Sequence, residues 1–281
     1  MTIPSEINEI NTFLSEDIGS GDITASIIPA SMQATADVIT RENMVVCGQA
    51  WFNAVFRALE PDLKINWLVK EGAWVKADSV LCQLQGQARS LLSGERTALN
   101  WLQTLSATAG VARRYAEAIA GTNCKILDTR KTIPGLRQAQ KYAVVCGGCY
   151  NHRLGLYDGV LIKENHIIAA GSIAAAVQLA RQQTAMPVEI EVESLAELQD
   201  ALAVRPDRIM LDNFNLEALK SAVKITTEMV GKGHIELEAS GNITLDTIKA
   251  VAETGVDYIS IGALTKHVIA VDLSMRIRLE K

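Results

Sequence analysis

From about Asn123 onward the chain repeats one pattern. A short apolar run stops at a charged or small residue, and a segment of helical period follows. The runs are Lys125–Asp128, Gly159–Ile162, Val188–Val192, Arg208–Leu211, His234–Leu237 and Tyr258–Ile261. Helical periodicity fills the gaps at Gln138–Val145, Ile173–Arg181, Leu195–Ala203, Leu216–Val230 and Leu245–Thr254. Strand alternating with helix predicts a parallel sheet. Every run delivers polar or small residues at its end: Arg130 and Lys131, Lys163, Glu191, Asp212 with Asn213, Glu238 with Ser240, and Gly262. An open sheet gathers ligand groups at its switch point, whereas a barrel presents them at all its strand ends. The pattern therefore predicts an incomplete TIM-like α/β barrel of about six parallel strands.

Ahead of this repeat the rhythm differs. Ser5–Asp17 reads as an amphipathic helix with Ile7, Ile10, Phe13 and Leu14 on one face. Ala34–Cys47 is strand-like with a break near Arg41–Asn43, and Ala50–Leu59 is a helix stopped by Pro61. Lys64–Val69 is a strand, followed by short apolar stretches through Val75 and from Val80. Ser93–Leu105 is a helix that Ser93 is placed to cap, with Arg96, Asn100 and Gln103 on its polar side. Short strands with glycine turns predict an α+β open-sandwich domain over 1–115, and the barrel over 116–269. Alternation of Met275, Ile277 and Leu279 against Arg276 and Arg278 predicts that 270–281 returns to the first domain as a strand.

Composition narrows the class. The 281 residues are 48% hydrophobic and 21% charged, enough apolar material for a sizeable core. The formal charge of −5 argues against general nucleic-acid binding. The opening residues lack a basic region followed by a continuous apolar stretch, and no run reaches the length of a membrane span. A cytoplasmic protein without membrane association is expected. Five cysteines suit a reducing compartment. Cys146 and Cys149 form a C-x-x-C, but Cys47, Cys82 and Cys124 stand singly, so a glycine loop with small thiols is preferred to a zinc site.

The candidate chemistry lies mainly between Ile126 and His166. Arg130, Lys131, His152, Arg153 and Lys163 fall within 34 residues, most of them where strands stop. Cations converging there imply a small substrate with several negative charges. Glu189, Glu191 and Glu193 alternate, which puts them on one strand face, where like charges repel unless a cation or metal lies between. Of the three, Glu191 is the functional candidate. Glu189 suits a buried ion pair, and Glu193 a cap for the helix near Leu195. The loops at Ser240-Gly241 and Gly262-Ala263 follow the last two strands, where a phosphate cradle is common.

Several of these stretches also carry a resemblance. Thr129-Arg-Lys-Thr-Ile-Pro-Gly-Leu-Arg137, Asn151-His-Arg-Leu-Gly-Leu156 and Leu161-Ile-Lys-Glu-Asn-His166 resemble the signature of the quinolinate phosphoribosyltransferases. The likeness extends to Glu16–Thr24, Glu95–Asn100 and Glu238–Asn242, and departs from the family at Cys149, where a glycine is usual. The resemblance implies transfer of phosphoribosyl from phosphoribosyl pyrophosphate to quinolinate, with loss of carbon dioxide, giving nicotinate mononucleotide in NAD biosynthesis. It implies that Arg96, Arg130, Lys131, His152, Arg153 and Lys163 bind the dicarboxylate and the phosphates. Ser240, Gly241, Gly262 and Ala263 would hold the ribose phosphate. Glu191 and Asp212 would act near the ribose with Lys163, and meet Mg²⁺ through its pyrophosphate complex. It further implies a homodimer in which Arg96 enters the partner's site. The alternatives are a paralogous phosphoribosyltransferase of the type associated with molybdate-transport genes, and a barrel aldolase with Lys163 as Schiff-base nucleophile.

Overall fold

The computed structural model describes residues 10–231 and 233–279. The chain forms two compact units: residues up to Arg113 with Ile133–Gly148 and those from Leu264 on, and Arg114–Thr132 with Cys149–Ala263.

The first unit begins with helix α1 (Ile10–Ile18), whose Ile10 and Leu14 are buried. Ile7, expected on the same face, lies outside the described residues. Strand β1 (Gln33–Thr40) buries every second residue, Ala34, Ala36, Val38 and Thr40, as a half-buried strand must. Then come β2 (Met44–Val45), α2 (Gln49–Leu59), β3 (Lys64–Trp67), β4 (Trp74–Val75) and β5 (Val80–Gln87). Helix α3 spans Ala88–Ala118, and its residues up to Arg113 belong to this unit.

The expected start of α3 at Ser93 is corrected by this structure. The helix begins five residues earlier, and the Ser93 hydroxyl donates to Asp22 Oδ2 at 2.7 Å instead of capping. Gly94 does not break the helix, because it lets two helices approach. A Cβ there would meet the Phe56 ring of α2 at 2.8 Å. Helix α4 (Arg137–Cys146) contributes Ala139 and Ala143 to the same core as Trp51, Phe52 and Phe56 of α2 and Leu99, Leu102 and Leu105 of α3. Trp51 stacks on Trp101 at 5.8 Å and meets Tyr142 edge-on at 5.2 Å. The terminal strand β12 (Leu273–Leu279) pairs antiparallel with β1, Val38 opposite Met275 and Ala36 opposite Ile277. It completes a sheet of order β12-β1-β5-β3.

The second unit holds β6 (Lys125–Leu127), β7 (Val160–Ile162), α5 (Glu164–Ala170), α6 (Ile173–Gln183), β8 (Val188–Val192), α7 (Leu195–Val204), β9 (Arg208–Asp212), α8 (Leu216–Val230), β10 (Glu236–Ser240), α9 (Ile248–Ala252) and β11 (Tyr258–Ser260). A four-residue helix, α10 (Ala263–Lys266), follows. All six strands are parallel, in the order β6-β11-β10-β9-β8-β7. Taken cyclically, that is sequence order with one pairing unmade, between β6 and β7. This is the incomplete barrel expected. The tenth strand forms later than expected, over Glu236–Ser240 in place of His234–Leu237, and the His234 ring lies 3.0 Å from Asp257 Oδ1. Its shift puts Glu238 and Ser240 inside the strand. The short α5 had no counterpart in the sequence pattern. It starts with Lys163 as N-cap, whose backbone N–H donates to His166 Nδ1 at 3.0 Å.

Candidate active site

Register sorts the strand residues into layers. Glu189 lies opposite Arg208, which lies opposite Glu236, so these side chains share one face of the sheet. One layer further along come Glu191, Met210 and Glu238, and then Asp212 beside Ser240.

The deeper layer is a charge cluster gathered about two buried carboxylates, Glu189 and Glu238. The Arg208 guanidinium reaches Glu236 Oε2 at 2.8 Å and Glu238 Oε2 at 3.2 Å, and lies 4.0 Å from the centre of the Tyr258 ring. Nε2 of His152 is 3.0 Å from Glu189 Oε2 and 3.6 Å from Glu238 Oε2. Glu238 is fully buried, and burial together with the Glu189 charge pushes its carboxyl up to about 7. Burial lowers the pKa of His152, but the bond to Glu189 and the Glu238 charge outweigh it and leave the group raised. Nδ1 accepts the Arg153 N–H at 2.8 Å, which places the ring proton on Nε2, toward the carboxylates.

The open edge of β6 explains how His152 arrives there. Tyr150 bridges Leu127 in parallel, its N–H donating to the Ile126 carbonyl at 2.8 Å. The His152 N–H then donates to the buried carboxylate of Asp128 at 2.9 Å. Arg153 follows, its guanidinium donating to the Gly159 carbonyl at 3.0 Å. Burial and the Arg130 charge both lower its pKa.

The rim layer holds the second sign. Lys163 Nζ pairs with Glu191 Oε2. Carboxylate oxygens of Glu191, Glu193 and Asp212 lie within 4.8 Å of one another. Glu193 is exposed, and its pKa is raised first by Glu164 and further by Glu197, Asp212 and Glu191. It does not cap α7 as expected. Ser194 is the N-cap, accepting from the Glu197 N–H, while Glu197 reaches back to the Glu193 N–H at 2.7 Å. Lys131 lies against Gly262, where a Cβ would meet its Cδ at 3.0 Å. The rim thus gathers Lys131, Lys163, Glu191, Asp212 and Gly262, with Ser240, Gly241 and Ala263 on the two last strand ends.

Family models for the N-terminal and C-terminal domains of quinolinate phosphoribosyl transferase match residues 22–106 and 108–276. The chain belongs to the quinolinate phosphoribosyltransferase family. It is 43% identical over 270 residues to a probable nicotinate-nucleotide pyrophosphorylase (carboxylating) of Synechocystis sp., covering 95% of this chain and 91% of the relative. A relative of the same printed name from Bacillus subtilis is 40% identical over 272 residues, covering 96% and 92%. The solved nicotinate-nucleotide pyrophosphorylase of Francisella tularensis superposes with a TM-score of 0.93 at 46% identity, over 99% of this chain and 98% of that one.

In this member of the quinolinate phosphoribosyltransferase family, Arg96 lies on α3 in the first unit. It is exposed and lines a cavity of about 430 Å³ with Asp17, Asn100 and Thr104. The remaining expected site residues belong to the second unit. Arg208, Asp128 and the Glu189–Glu238 contact were not singled out from sequence. Parity within β9 flags Arg208 as facing the same side as Asp212, but only register sets it against Glu189 and Glu236.

Gly241 is the tightest point of the rim. Its φ is +99°, and a Cβ would lie 2.2 Å from Asn213 Oδ1. The Asn213 N–H donates to the Ser240 carbonyl at 2.9 Å, locking the two strand ends together. Gly241→Ala is expected to cost at least about 1–3 kcal/mol through backbone strain. Denaturant unfolding measures it, and an unchanged midpoint would mean that the turn relaxes freely.

Proposed function

We propose that this chain transfers the phosphoribosyl group of phosphoribosyl pyrophosphate to the ring nitrogen of quinolinate, releasing pyrophosphate and carbon dioxide and leaving nicotinate mononucleotide. The observation that carries the reading is the two-sign layout of one strand-end rim: Arg130 near Arg153, and Lys163 against the Glu191–Asp212 carboxylates. Adjacent arginines suit a dicarboxylate, whose charge offsets their mutual repulsion. As the bond from the anomeric carbon to pyrophosphate loosens, positive charge grows on the sugar, and fixed carboxylates stabilise it. Glu191 and Asp212 are placed for that role, with Lys163 orienting Glu191. The pyridinium nitrogen formed then stabilises the carbanion left when the neighbouring carboxylate departs. Ser240, Gly241, Gly262 and Ala263 would carry the ribose phosphate.

His152 acts in this scheme from beneath. One ring nitrogen faces Glu189 and Glu238 and the other accepts from Arg153 N–H, so its contribution is to hold the Arg153 backbone in place beside any contact its ring makes with the acid.

Three hard oxygen donors within 4.8 Å fit Mg²⁺ in charge and donor type. Glu191 and Asp212 would hold it, and the ion would offset the charge of the departing pyrophosphate. The working form we propose is a cytoplasmic homodimer, with Arg96 supplied across the two-fold axis. Exposed Leu156, Tyr157 and Ile168, each more than 70% accessible, suit burial against a second copy. Among the described residues no helix is long and apolar enough to cross a membrane. A Schiff-base role for Lys163 needs an unpaired amine, and the ion pair with Glu191 argues against it.

The test is product analysis with quinolinate, nicotinate and nicotinamide offered in parallel alongside phosphoribosyl pyrophosphate. Quinolinate should be preferred over nicotinate by at least on the order of 10²-fold in kcat/KM, because a missing carboxylate leaves a cation unpaired. Comparable turnover of nicotinate would sink the reading.

A further inference from the structure

The C-x-x-C of the sequence is not a pair in the folded chain. Cys146 ends α4 and belongs to the first unit, whereas Cys149 is buried in the second, its thiol pushed up to about 12 by burial and Asp128. The true neighbour of Cys146 is Cys47, nearly a hundred residues earlier. The two sulfurs and a Glu71 carboxylate oxygen all lie within 4.8 Å of one another. Glu71 is fixed in place, accepting the Gly48 N–H at 2.8 Å and the Gln49 N–H at 3.2 Å at the start of α2. The Cys47 backbone is equally fixed, with both its N–H and its carbonyl bonded to the Ser106 hydroxyl. Cys47 is fully buried, and Cys146 is half-buried.

We propose that Cys47 and Cys146 form a built-in dithiol site, which a small peroxide oxidises to a reversible intramolecular disulfide. Cys146 is the reacting thiol, because it is half-buried where Cys47 is fully buried. The neighbouring Cys47 and Tyr142 groups hold its pKa below the ordinary thiol value, against burial and the Glu71 charge. Its thiolate attacks the peroxide. An S–O bond forms, the O–O bond breaks, and the leaving hydroxide takes a proton to become water. Burial raises the Cys47 thiol well above its usual range, so it does not react first. Once Cys146 carries the sulfenic acid, Cys47 attacks that sulfur and gives its proton to the Glu71 carboxylate. The S–S bond forms, the S–O bond breaks, and the hydroxide leaves as water with that proton. Two thiols lose two electrons, and the peroxide gains them. The sulfurs need to approach from within 4.8 Å to a bond of about 2.05 Å.

The probe is hydrogen peroxide at one equivalent, followed by alkylation, digestion and mass spectrometry without reductant. The expected product is a Cys47–Cys146 crosslinked peptide, about 2 Da lighter than its two thiol halves and restored by dithiothreitol. Cys82, Cys124 and Cys149 stay reduced and serve as internal controls. Cys47→Ala should trap Cys146 as a sulfenic acid that dimedone labels, and should slow its alkylation in the untreated chain. In case that variant folds poorly, the wild-type crosslink map stands alone. Cys146 driven to sulfinic acid without crosslinking, a Cys146–Cys149 link, or peroxide consumption spread evenly over the five thiols would each overturn the proposal.

Discussion

Arg208→Ala is expected to lower stability by about 3–5 kcal/mol. Its guanidinium sits among Glu236, Glu238 and, across the register, Glu189, and Glu238 is fully buried. Burial alone would lower its pKa, yet the Glu236 bond and the three carboxylate charges raise it, so the cation is strongly held. Removing it leaves buried carboxylates facing one another, and the Tyr258 ring loses its stacked partner. The loss should depend on pH. Burial and the Glu189 charge push the Glu238 carboxyl up to about 7, above its unfolded value, so the folded state binds more protons than the unfolded state between roughly pH 4.5 and 7. Its contribution to stability is therefore present at low pH and falls as pH rises through that window. Without Arg208 the folded value should climb further, so the variant should be weaker at pH 8 than at pH 6 by more than wild type is. Thermal unfolding at both values measures it, with a shift of about 10 °C expected at pH 8. Arg208→Lys, which keeps the charge but loses the fork, should recover part of the stability. An Arg208→Ala chain as stable as wild type at pH 8 would mean that the carboxylates are neutralised in some other way.

The second large effect follows from the proposal that two copies of the chain form a dimer and share a site. Arg96→Ala and Lys163→Ala chains should each lose on the order of 10²–10³-fold in kcat, because each removes a fixed charge from the reacting complex. Mixed and allowed to exchange, about half the dimers become heterodimers, each with one intact site, and activity should return to about a quarter of wild type. The recovery would come from Arg96 of one chain acting with Lys163 of the other. If heterodimers are verified by mass and activity stays at the parental level, Arg96 works within its own chain or has no part in the reaction.

Local periodicity made the six strands of the second unit legible, though not the short α5. Apolar runs of four or five residues broken by charge have few other readings, and Leu216–Val230 is a helix with the bounds that its pattern indicates. The rim residues Lys163, Glu191 and Asp212 were legible because each lies at or next to the end of its apolar run. Single elements were misplaced where a side chain found a distant partner. Ser93 has the chemistry of a cap, but Asp22 claims its hydroxyl and α3 begins at Ala88. Glu193 has the charge for a helix start, but Ser194 sits one residue nearer.

What the tertiary structure alone decided is which charges meet. Alternation put Glu189, Glu191 and Glu193 on one face, but only register set Glu189 against Arg208 and His152 while Glu191 met Lys163. Register depends on how six strands align around the sheet, which no local window contains. The edge of β6 left open by the absent β7 pairing receives Tyr150, and that non-local bridge delivers His152 to two buried carboxylates. Cys146 shows the same division most sharply: spacing ties it to Cys149, three residues away, while packing of α4 in the first unit ties it to Cys47. Sequence spacing governs neighbours along one element, and contacts between elements follow from the burial of faces, which brings together residues the chain holds far apart.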